Sequence, residues 1–180
     1  MRLSIGKSTL EIVKGDIVQE DTDAIVNAAN SRLTPGGGVS GAIHRAAGPQ
    51  LWEECKAIGG CGKGEAKITG GYNLKARYVI HTVGPVYSGK KRDAEILARC
   101  YTSSLKLAVE HGIKSISFPA ISTGIYGYPM EEAARVAIST IIKFLKENDV
   151  SIKVRMVLYD SRAYVIHKRV LEEIMENEDG

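Results

Sequence analysis

The chain has 180 residues, a length typical of one domain rather than two. Hydrophobic residues make up 44% and charged residues 25%, which excludes a disordered or fibrous protein and predicts a core that needs no metal or disulfide. The net charge of +3 is too small to indicate nucleic-acid binding by itself. We therefore expect a single domain over residues 1–180, with an acidic tail at 176–180 that frays.

The cysteines and the N-terminus bear on the cellular compartment. Cys55, Cys61 and Cys100 are odd in number and include no CxxC pair, which argues against a disulfide framework and against a structural zinc site. Residues 1–5 lack the apolar stretch of a signal peptide, and no run of about 18 apolar residues occurs. We expect a soluble, cytoplasmic protein.

From about residue 24 onward, short apolar runs alternate with longer segments of helical period, a pattern typical of a sheet layered with helices. The predicted strands are Leu3–Ile5, Leu10–Val13, Ala24–Val26, Ala66–Ile68, Tyr78–Thr82, Ser115–Phe118 and Val154–Tyr159. The first two flank a hairpin-like connection at residues 6–9, so the N-terminal edge should be antiparallel and the rest of the sheet mixed or parallel. The pattern thus predicts an α/β sandwich.

Three segments carry apolar residues on one helical face, because these residues recur at spacings of three and four. The stripes are Leu97, Tyr101, Leu105 and Ala108; then Ala134, Ala137, Ile138, Ile141 and Leu145; and, more weakly, Tyr164, Lys168, Leu171 and Met175. We interpret them as core stripes that pack on the sheet.

Three loops follow predicted strands and lead toward helices, which is where α/β sheets bind ligands. They are residues 15–17, residues 27–41 and residues 122–127. In the second loop, Gly36-Gly37-Gly38 precedes a predicted helix over 39–47, so its N–H groups can turn toward an anion at the helix N-terminus. Ser122-Thr123-Gly124 offers hydroxyls and amides in a similar way, and two such cradles suit a diphosphate.

Each of these features taken alone also has a purely structural interpretation. Three glycines are common in flexible surface loops, and Ser122-Thr123-Gly124 could simply cap a helix. Asp16 beside a glycine suits a turn, while the Asn27 and Asn30 side chains could satisfy loop backbone groups. The combination of the features favours a phosphate site.

Two nucleotide-binding motifs fail in their context. Residues 36–41 match GxGxxG, but these glycines begin about ten residues after the strand instead of in a tight turn. Glu53 and Glu54 lie in a predicted helix where the motif requires the end of a second strand. Gly62-Lys63-Gly64 lacks the first glycine and the hydroxyl residue of a Walker A loop. The sequence therefore favours neither a Rossmann dehydrogenase nor a P-loop protein.

Of the four histidines, His44 stands out. It lies four residues after Ser40 on the helix that starts at the glycine loop, so the two side chains should share a face near the phosphate cradle. His81, at the end of an apolar strand, is expected to be a hydrogen-bonded core residue, and His111 and His167 to be structural. No Ser-His-Asp triad or metal-ligand cluster can be assembled from these motifs.

Six segments that together span nearly the whole chain occur in the order of one known family. They are Val13–Ile17, Ile25–Asn30, Gly36–Val39 with Gly41–Gly48, Gly64–Tyr72, Tyr78–Pro85 and Ile116–Pro129. In them the chain resembles the macro domains, and in particular the MacroD-type branch. The resemblance implies a three-layer α/β/α fold around a mixed, mostly parallel sheet, with a deep cleft for ADP-ribose and without a metal or other cofactor.

Carried over by position, the resemblance implies roles along this cleft. Asp16 would accept a hydrogen bond from the adenine amino group, and Tyr159 would pack on the base. The glycine loop and the 122–126 loop would hold the diphosphate from opposite sides, and Asn30 would bond the distal ribose hydroxyls. The predicted ligand contacts are Asp16, Ile17, Asn27, Asn30, Gly36, Gly37, Gly38, Val39, Ser122, Thr123, Gly124, Ile125, Tyr126 and Tyr159.

The resemblance also implies an activity, because this branch typically hydrolyses esters at the distal ribose. The products would be ADP-ribose released from mono-ADP-ribosylated aspartate or glutamate side chains, or from O-acetyl-ADP-ribose. Attack by water, assisted by the substrate's own phosphate, needs no metal. The implied partners are these ligands and ADP-ribosylated proteins, with ADP-ribosylated nucleic acid as a further candidate. No membrane partner is implied, and we favour a monomer.

Two residues depart from the branch pattern. Ser40 stands where the branch usually has an aspartate associated with activity, and Lys63 stands where it often has threonine. A serine hydroxyl can orient water but is not a base at neutral pH, so a factor of up to about 10²–10⁴ in rate is at stake, and His44 is the candidate to compensate. Asn30, Ser40 and His44 are thus the predicted catalytic residues. The alternatives are a non-catalytic ADP-ribose reader, a phosphatase acting on ADP-ribose 1″-phosphate and an NAD-dependent oxidoreductase.

Overall fold

Seven strands form one mixed sheet. The computed structural model describes residues 1–179, and its strands are β1 (Arg2–Ile5), β2 (Ser8–Lys14), β3 (Ala24–Ala28), β4 (Ala66–Gly70), β5 (Tyr78–Thr82), β6 (Ser115–Phe118) and β7 (Lys153–Leu158). They lie in the order β1-β2-β7-β6-β3-β5-β4. Every predicted strand is present, and the bounds differ only at the ends.

The central strands of the sheet are parallel. β1 and β2 form the predicted antiparallel hairpin, and β4 pairs antiparallel with β5 at the other edge. Between them β2, β7, β6, β3 and β5 are parallel neighbours. Because parallel strands end on the same side, the loops that follow these strands meet at one edge of the sheet, here called the carboxyl edge.

Five helices cover the two faces of this sheet. They are α1 (Gly38–Ala47), α2 (Pro49–Ile58), α3 (Lys91–Glu110), α4 (Met130–Glu147) and α5 (Ser161–Asp179). Helices α3, α4 and α5 share one apolar core with the sheet, and α1 and α2 share the other. The fold is therefore the predicted three-layer α/β/α sandwich.

Helix α5 extends into the C-terminal tail as far as Asp179, and the Lys146 ammonium lies 2.6 Å from a Glu178 carboxylate oxygen. That residues 176–180 fray stays a prediction. Gly180 lies outside the described residues.

The alternation of side chains along β3 shows how one strand supplies both cores. Ala24 and Val26 pack with the α3–α5 layer, while Ile25 packs with the α1–α2 layer, because successive side chains of a strand point to opposite faces. The predicted stripe of α4 is buried along its whole length. Burying an aliphatic side chain of this kind contributes about 1.5–3 kcal/mol, so these stripes supply much of the stability.

The connection from β2 to β3 crosses a face of the sheet without a regular helix. The strands β7 and β6 lie between β2 and β3, and residues 15–23 lead back over them from the carboxyl edge. This crossover contains a single 3₁₀ turn, Ile17–Gln19, with Asp16 as its N-cap. Its far end is fixed at Asp23, whose N–H donates to Ser115 Oγ at 2.8 Å and whose carboxylate accepts from Lys114 N at 2.8 Å.

The three cysteines are free and buried. Burial raises the pKa of the Cys55 and Cys61 thiols to about 11, so both are protonated at neutral pH. Within residues 1–179, no helix combines the length and the apolar character that crossing a membrane requires.

A buried hydrogen-bond network surrounds His81 on β5. Its Nδ1 lies 3.1 Å from the Asn27 amide nitrogen, and its Nε2 lies 2.9 Å from Thr69 Oγ1. Thr69 Oγ1 donates to Gly70 O, so His81 Nε2 is the donor to that hydroxyl and Nδ1 accepts from Asn27. This confirms His81 as a hydrogen-bonded core residue. Burial, with a smaller contribution from His44, lowers the pKa of His81 to about 3.

The depressed pKa of His81 predicts a loss of stability in acid. Between pH 6.5 and about 3 the unfolded chain binds a proton at this position and the folded chain does not, so the free energy of unfolding falls as the pH falls. We expect His81→Gln to reduce this slope by about 1.4 kcal/mol per pH unit between pH 4 and 6. Urea titrations at several pH values measure the slope. His111→Gln, at an exposed position, is the control, and equal slopes for the two variants would contradict the prediction.

Candidate functional site

The carboxyl edge contains the point at which the sheet order reverses. After β3 the chain continues to β4 and β5 on one side, whereas after β6 it continues to β7 on the other. The loops that follow these two adjacent strands therefore leave toward opposite faces and open a crevice between them, the usual ligand position in such sheets. They are the glycine loop, residues 29–37, and the 119–129 loop.

The peptide N–H groups at the junction of the glycine loop and α1 are available to a ligand. Gly37 is the N-cap and has no side chain to cap the helix, and Gly38 has a φ of +55°, a conformation that favours glycine. The N–H groups of residues 36–40 donate to no acceptor within the described chain. Residues 36–38 are exposed. A helix N-terminus with successive unpaired amides is an anion site.

The 122–126 loop forms a second group of unpaired amides. Within residues 1–179, the N–H groups of residues 122 and 124–126 have no acceptor. Ser122 has a φ of +68°, an unusual and strained conformation for a residue with a side chain. Here the expectation that hydroxyls face the ligand is corrected: Ser122 Oγ donates to Pro85 O at 2.8 Å and Thr123 Oγ1 to Ala120 O at 2.8 Å. The backbone amides, not the hydroxyls, are available.

The loop after β5 supports the 122–126 loop, a role that the sequence analysis did not assign. A Cβ on Gly84 would lie 2.2 Å from Ser122 Oγ and 2.8 Å from Ile121 Cγ2, so only glycine fits there. The Tyr87 N–H donates to Tyr126 O at 2.8 Å, which ties the two loops together. The side chain of Ile125 projects fully into solvent from this loop.

Asp16, Ile17 and Tyr159 come together at the far side of the carboxyl edge. The Gly15 N–H donates to Leu158 O at 2.9 Å, so the loops after β2 and β7 begin side by side. One Asp16 carboxylate oxygen accepts from Val18 N at 3.2 Å, and the Ile17 N–H has no acceptor within the described chain. The Tyr159 ring is 79% exposed. A carboxylate, an amide and an exposed aromatic face together offer an acceptor, a donor and a stacking surface.

Asn30, Gly36 and Ser40 form the opposite end of the site. A Cβ placed on Gly36 would lie 3.7 Å from Asn30 Nδ2 and 4.0 Å from Ser40 Oγ. The Asn30 amide also shapes its own loop, because Nδ2 donates to Thr34 O at 3.0 Å and Oδ1 accepts from Thr34 N at 3.1 Å. Ser40 Oγ is buried and has no partner in the part of the chain that the structure describes. A polar group in this condition suits a contact with a ligand or water.

His44 and Asn27 lie deeper than the sequence predicted. Both ring nitrogens of His44 are buried without a partner among the described residues, and burial lowers its pKa, so the imidazole is neutral at neutral pH. Asn27, predicted to contact the ligand, is 1% exposed and donates to His81. The structure thus places Asn27 beneath the loops as a support for β3 and β5 and not at the surface.

Comparison with known proteins identifies the family. The sequence model for the macro domain matches residues 26–137, and the chain therefore belongs to the macro domain family. It is 53% identical over 170 residues to the ADP-ribose glycohydrolase MACROD2 of Xenopus laevis, covering 93% of this chain and 41% of that protein.

Solved structures of the same family have the same fold. The Oceanobacillus iheyensis macrodomain with ADP is 47% identical, with a TM-score of 0.95 over 98% of this chain and 97% of that one. The Trypanosoma brucei macrodomain in complex with ADP-ribose is 42% identical, with a TM-score of 0.86 over 90% of this chain and 68% of that one.

The contact between Gly84 and Ser122 predicts a specific loss of stability. In Gly84→Ala the new methyl group would overlap Ser122 Oγ and force the 122–126 loop to move, so we expect the free energy of unfolding to fall by about 1–3 kcal/mol. Gly124→Ala is the matched control, because a Cβ there meets no atom within 4 Å, and its effect should stay within about 0.5 kcal/mol. Urea denaturation measures both, and equal effects would contradict the assigned role.

Proposed function

We propose that the chain binds ADP-ribose along the carboxyl edge, with the diphosphate between the glycine loop and the 122–126 loop. The observation that carries the proposal is the pair of unpaired amide groups, residues 36–40 on one side and residues 122 and 124–126 on the other. Residues 36–40 and 122–126 include no lysine or arginine, so peptide N–H groups are the donors that these two segments offer an anion. The ADP and ADP-ribose bound by the two related macrodomains support this ligand class.

In this proposal the adenine lies against Asp16, Ile17 and Tyr159. The Asp16 carboxylate accepts from the exocyclic amino group, and the Ile17 N–H donates to the adjacent ring nitrogen. The exposed Tyr159 ring packs on the base. A hydrogen bond to a charged group is worth about 1.5–3 kcal/mol, so Asp16 alone accounts for a factor of about 10 to 150 in affinity.

The distal ribose then lies at Asn30, Gly36 and Ser40. The proposed reaction is hydrolysis of an ester on this ribose: the hydroxyl of water joins one side of the ester and its proton the other, giving ADP-ribose and a free acid. The substrates are mono-ADP-ribosylated aspartate or glutamate side chains and O-acetyl-ADP-ribose. The substrate's phosphate and Ser40 Oγ position the water, and Asn30 holds the ribose. The related ADP-ribose glycohydrolase MACROD2 supports a hydrolytic reaction.

One observation favours a second candidate, a non-catalytic ADP-ribose reader. The Ser40 hydroxyl is not a base at neutral pH, and the neutral imidazole of His44 lies buried one helical turn further from the glycine loop. Hydrolysis through this site depends on water reaching both side chains. Binding through backbone amides does not depend on either of them.

An assay for release of ADP-ribose separates the two candidates. We expect the wild-type chain, at a concentration equal to that of the substrate, to remove labelled ADP-ribose from a protein modified on aspartate or glutamate. Asn30→Ala should lose most of this activity because the ribose is no longer held. Calorimetry with ADP-ribose measures binding in parallel. Tight binding with fully retained label would exclude the hydrolase and leave the reader. Phosphate release from ADP-ribose 1″-phosphate would instead indicate the phosphatase.

Ser40 itself provides a second prediction. Ser40→Asp adds a carboxylate at the first turn of α1, where it can accept a proton from water and is favoured by the helix dipole. We expect hydrolysis to rise by about 10²-fold or more, with the Kd for ADP-ribose nearly unchanged. Single-turnover rates and calorimetry measure the two quantities. Ser40→Asn is the matched control of similar shape that is not a base, and equal rates for the two variants would show that another group limits the reaction.

A further inference from the structure

A partly buried ion pair holds the middle of the 15–23 crossover on the sheet. Glu20 Oε1 accepts from Arg155 Nε at 2.7 Å and from Ser117 Oγ at 2.8 Å, and Glu20 Oε2 accepts from Arg155 Nη2 at 3.4 Å. Arg155 is on β7 and Ser117 is on β6, the two strands that the crossover must pass. Glu20 therefore fixes the crossover to both strands at once.

The pair is largely withdrawn from solvent. The side chains of Glu20 and Arg155 are 15% and 26% exposed, and Ser117 is fully buried. Glu11 on β2 is the second partner of the guanidinium, with its Oε2 3.3 Å from Arg155 Nη1. The hydrogen bonds that Arg155 donates to Glu20, together with the charges of Glu20 and Glu11, raise the pKa of Arg155. Partly buried charges are tolerated best when they are paired and hydrogen-bonded, so these bonds constrain the geometry of Glu20.

The position of Glu20 is transmitted to Asp16 through one short turn. The Glu20 N–H donates to Ile17 O at 3.2 Å, and the Gln19 N–H donates to Asp16 O at 3.0 Å. The Val18 N–H also donates to the Asp16 carboxylate and Ile17 packs in the α1–α2 core, so the position of Asp16 depends on this packing and on the two ends of the turn. One end is Gly15, bonded to the end of β7, and the other is Glu20.

We propose that Glu20 is a positioning residue that sets selectivity for the adenine base, a proposal that rests on the proposed ADP-ribose site. Glu20, held by Arg155 and Ser117, keeps the Asp16 carboxylate and the Ile17 N–H aligned with the hydrogen-bonding edge of the base. The carboxylate then meets the amino group of adenine and the N–H meets its ring nitrogen. Hypoxanthine offers the opposite pattern, a carbonyl oxygen and a ring N–H. It is rejected only while the carboxylate and the N–H keep these positions.

The test compares binding of ADP-ribose with binding of inosine diphosphate ribose by calorimetry. We expect the wild type to prefer ADP-ribose by at least about tenfold, and Asp16→Ala to lose that preference. Glu20→Leu should reduce the ratio of the two affinities to about threefold or less, mainly by weakening the binding of ADP-ribose. Glu20→Gln should keep most of it, because the amide oxygen still accepts from Arg155 Nε and Ser117 Oγ. A general loss of structure would instead weaken the binding of both ligands equally.

A second variant of the ion pair and a control variant complete the test. Arg155→Lys keeps the charge but loses the fork that reaches Glu20 and Glu11, so it should also lower the preference if Glu20→Leu does not fold. Glu173→Gln, in the exposed α4–α5 ion pairs, is the matched control and should change neither affinity. An unchanged preference in a folded Glu20→Leu or Arg155→Lys variant would overturn this inference but not the proposed function. A wild-type chain that binds neither ligand would overturn the proposed function together with it.

Discussion

Peptide N–H groups without an acceptor are the feature on which the site depends. The first turn of α1 leaves the amides of residues 36–40 unpaired, and the 122–126 loop adds a second set on the other side of the crevice. A helix must leave its first N–H groups unpaired, so a helix that starts at three glycines offers these donors without a side chain in front of them. In the proposed complex each such bond to a phosphate oxygen is charge-assisted, and the sum of several bonds takes the place of cationic side chains, which residues 36–40 and 122–126 do not include.

The sheet holds both sets of amides at one edge. Because β3 and β6 are parallel neighbours whose chains leave in opposite directions, their loops diverge from one crevice. The 122–126 loop is then fixed from outside: Gly84 leaves room for Ser122, and the strained φ of Ser122 is held by the hydrogen bond from its Oγ to Pro85 O. The strain lies where the ligand is proposed to bind, and the surrounding strands maintain it.

The sequence predicted most of the fold because the spacing of apolar residues within one segment is enough to indicate a strand or a helix. The seven strands, the hairpin and the α4 stripe are local patterns. It also predicted that the glycine loop and the 122–127 segment lie at strand ends. It did not predict contacts that join distant segments: Asn27 is buried and pairs with His81, and Glu20 meets Arg155 across 135 positions. Only the strand order brings such residues together, and no local pattern contains that order.

The division between backbone and side chains explains how one fold of this kind can keep its ligand while its chemistry varies. Substitution changes side chains but leaves peptide amides in place, so the donors at residues 36–40 persist whatever residue stands at position 40. That position nevertheless lies beside Gly36 and Asn30, where the distal ribose is proposed to bind. A serine there keeps the amide that is proposed to hold phosphate and lacks the carboxylate that could take a proton. In the proposed reaction, binding and turnover therefore depend on different groups of the same residue, and His44, the predicted substitute for a base, is buried and neutral one turn behind it.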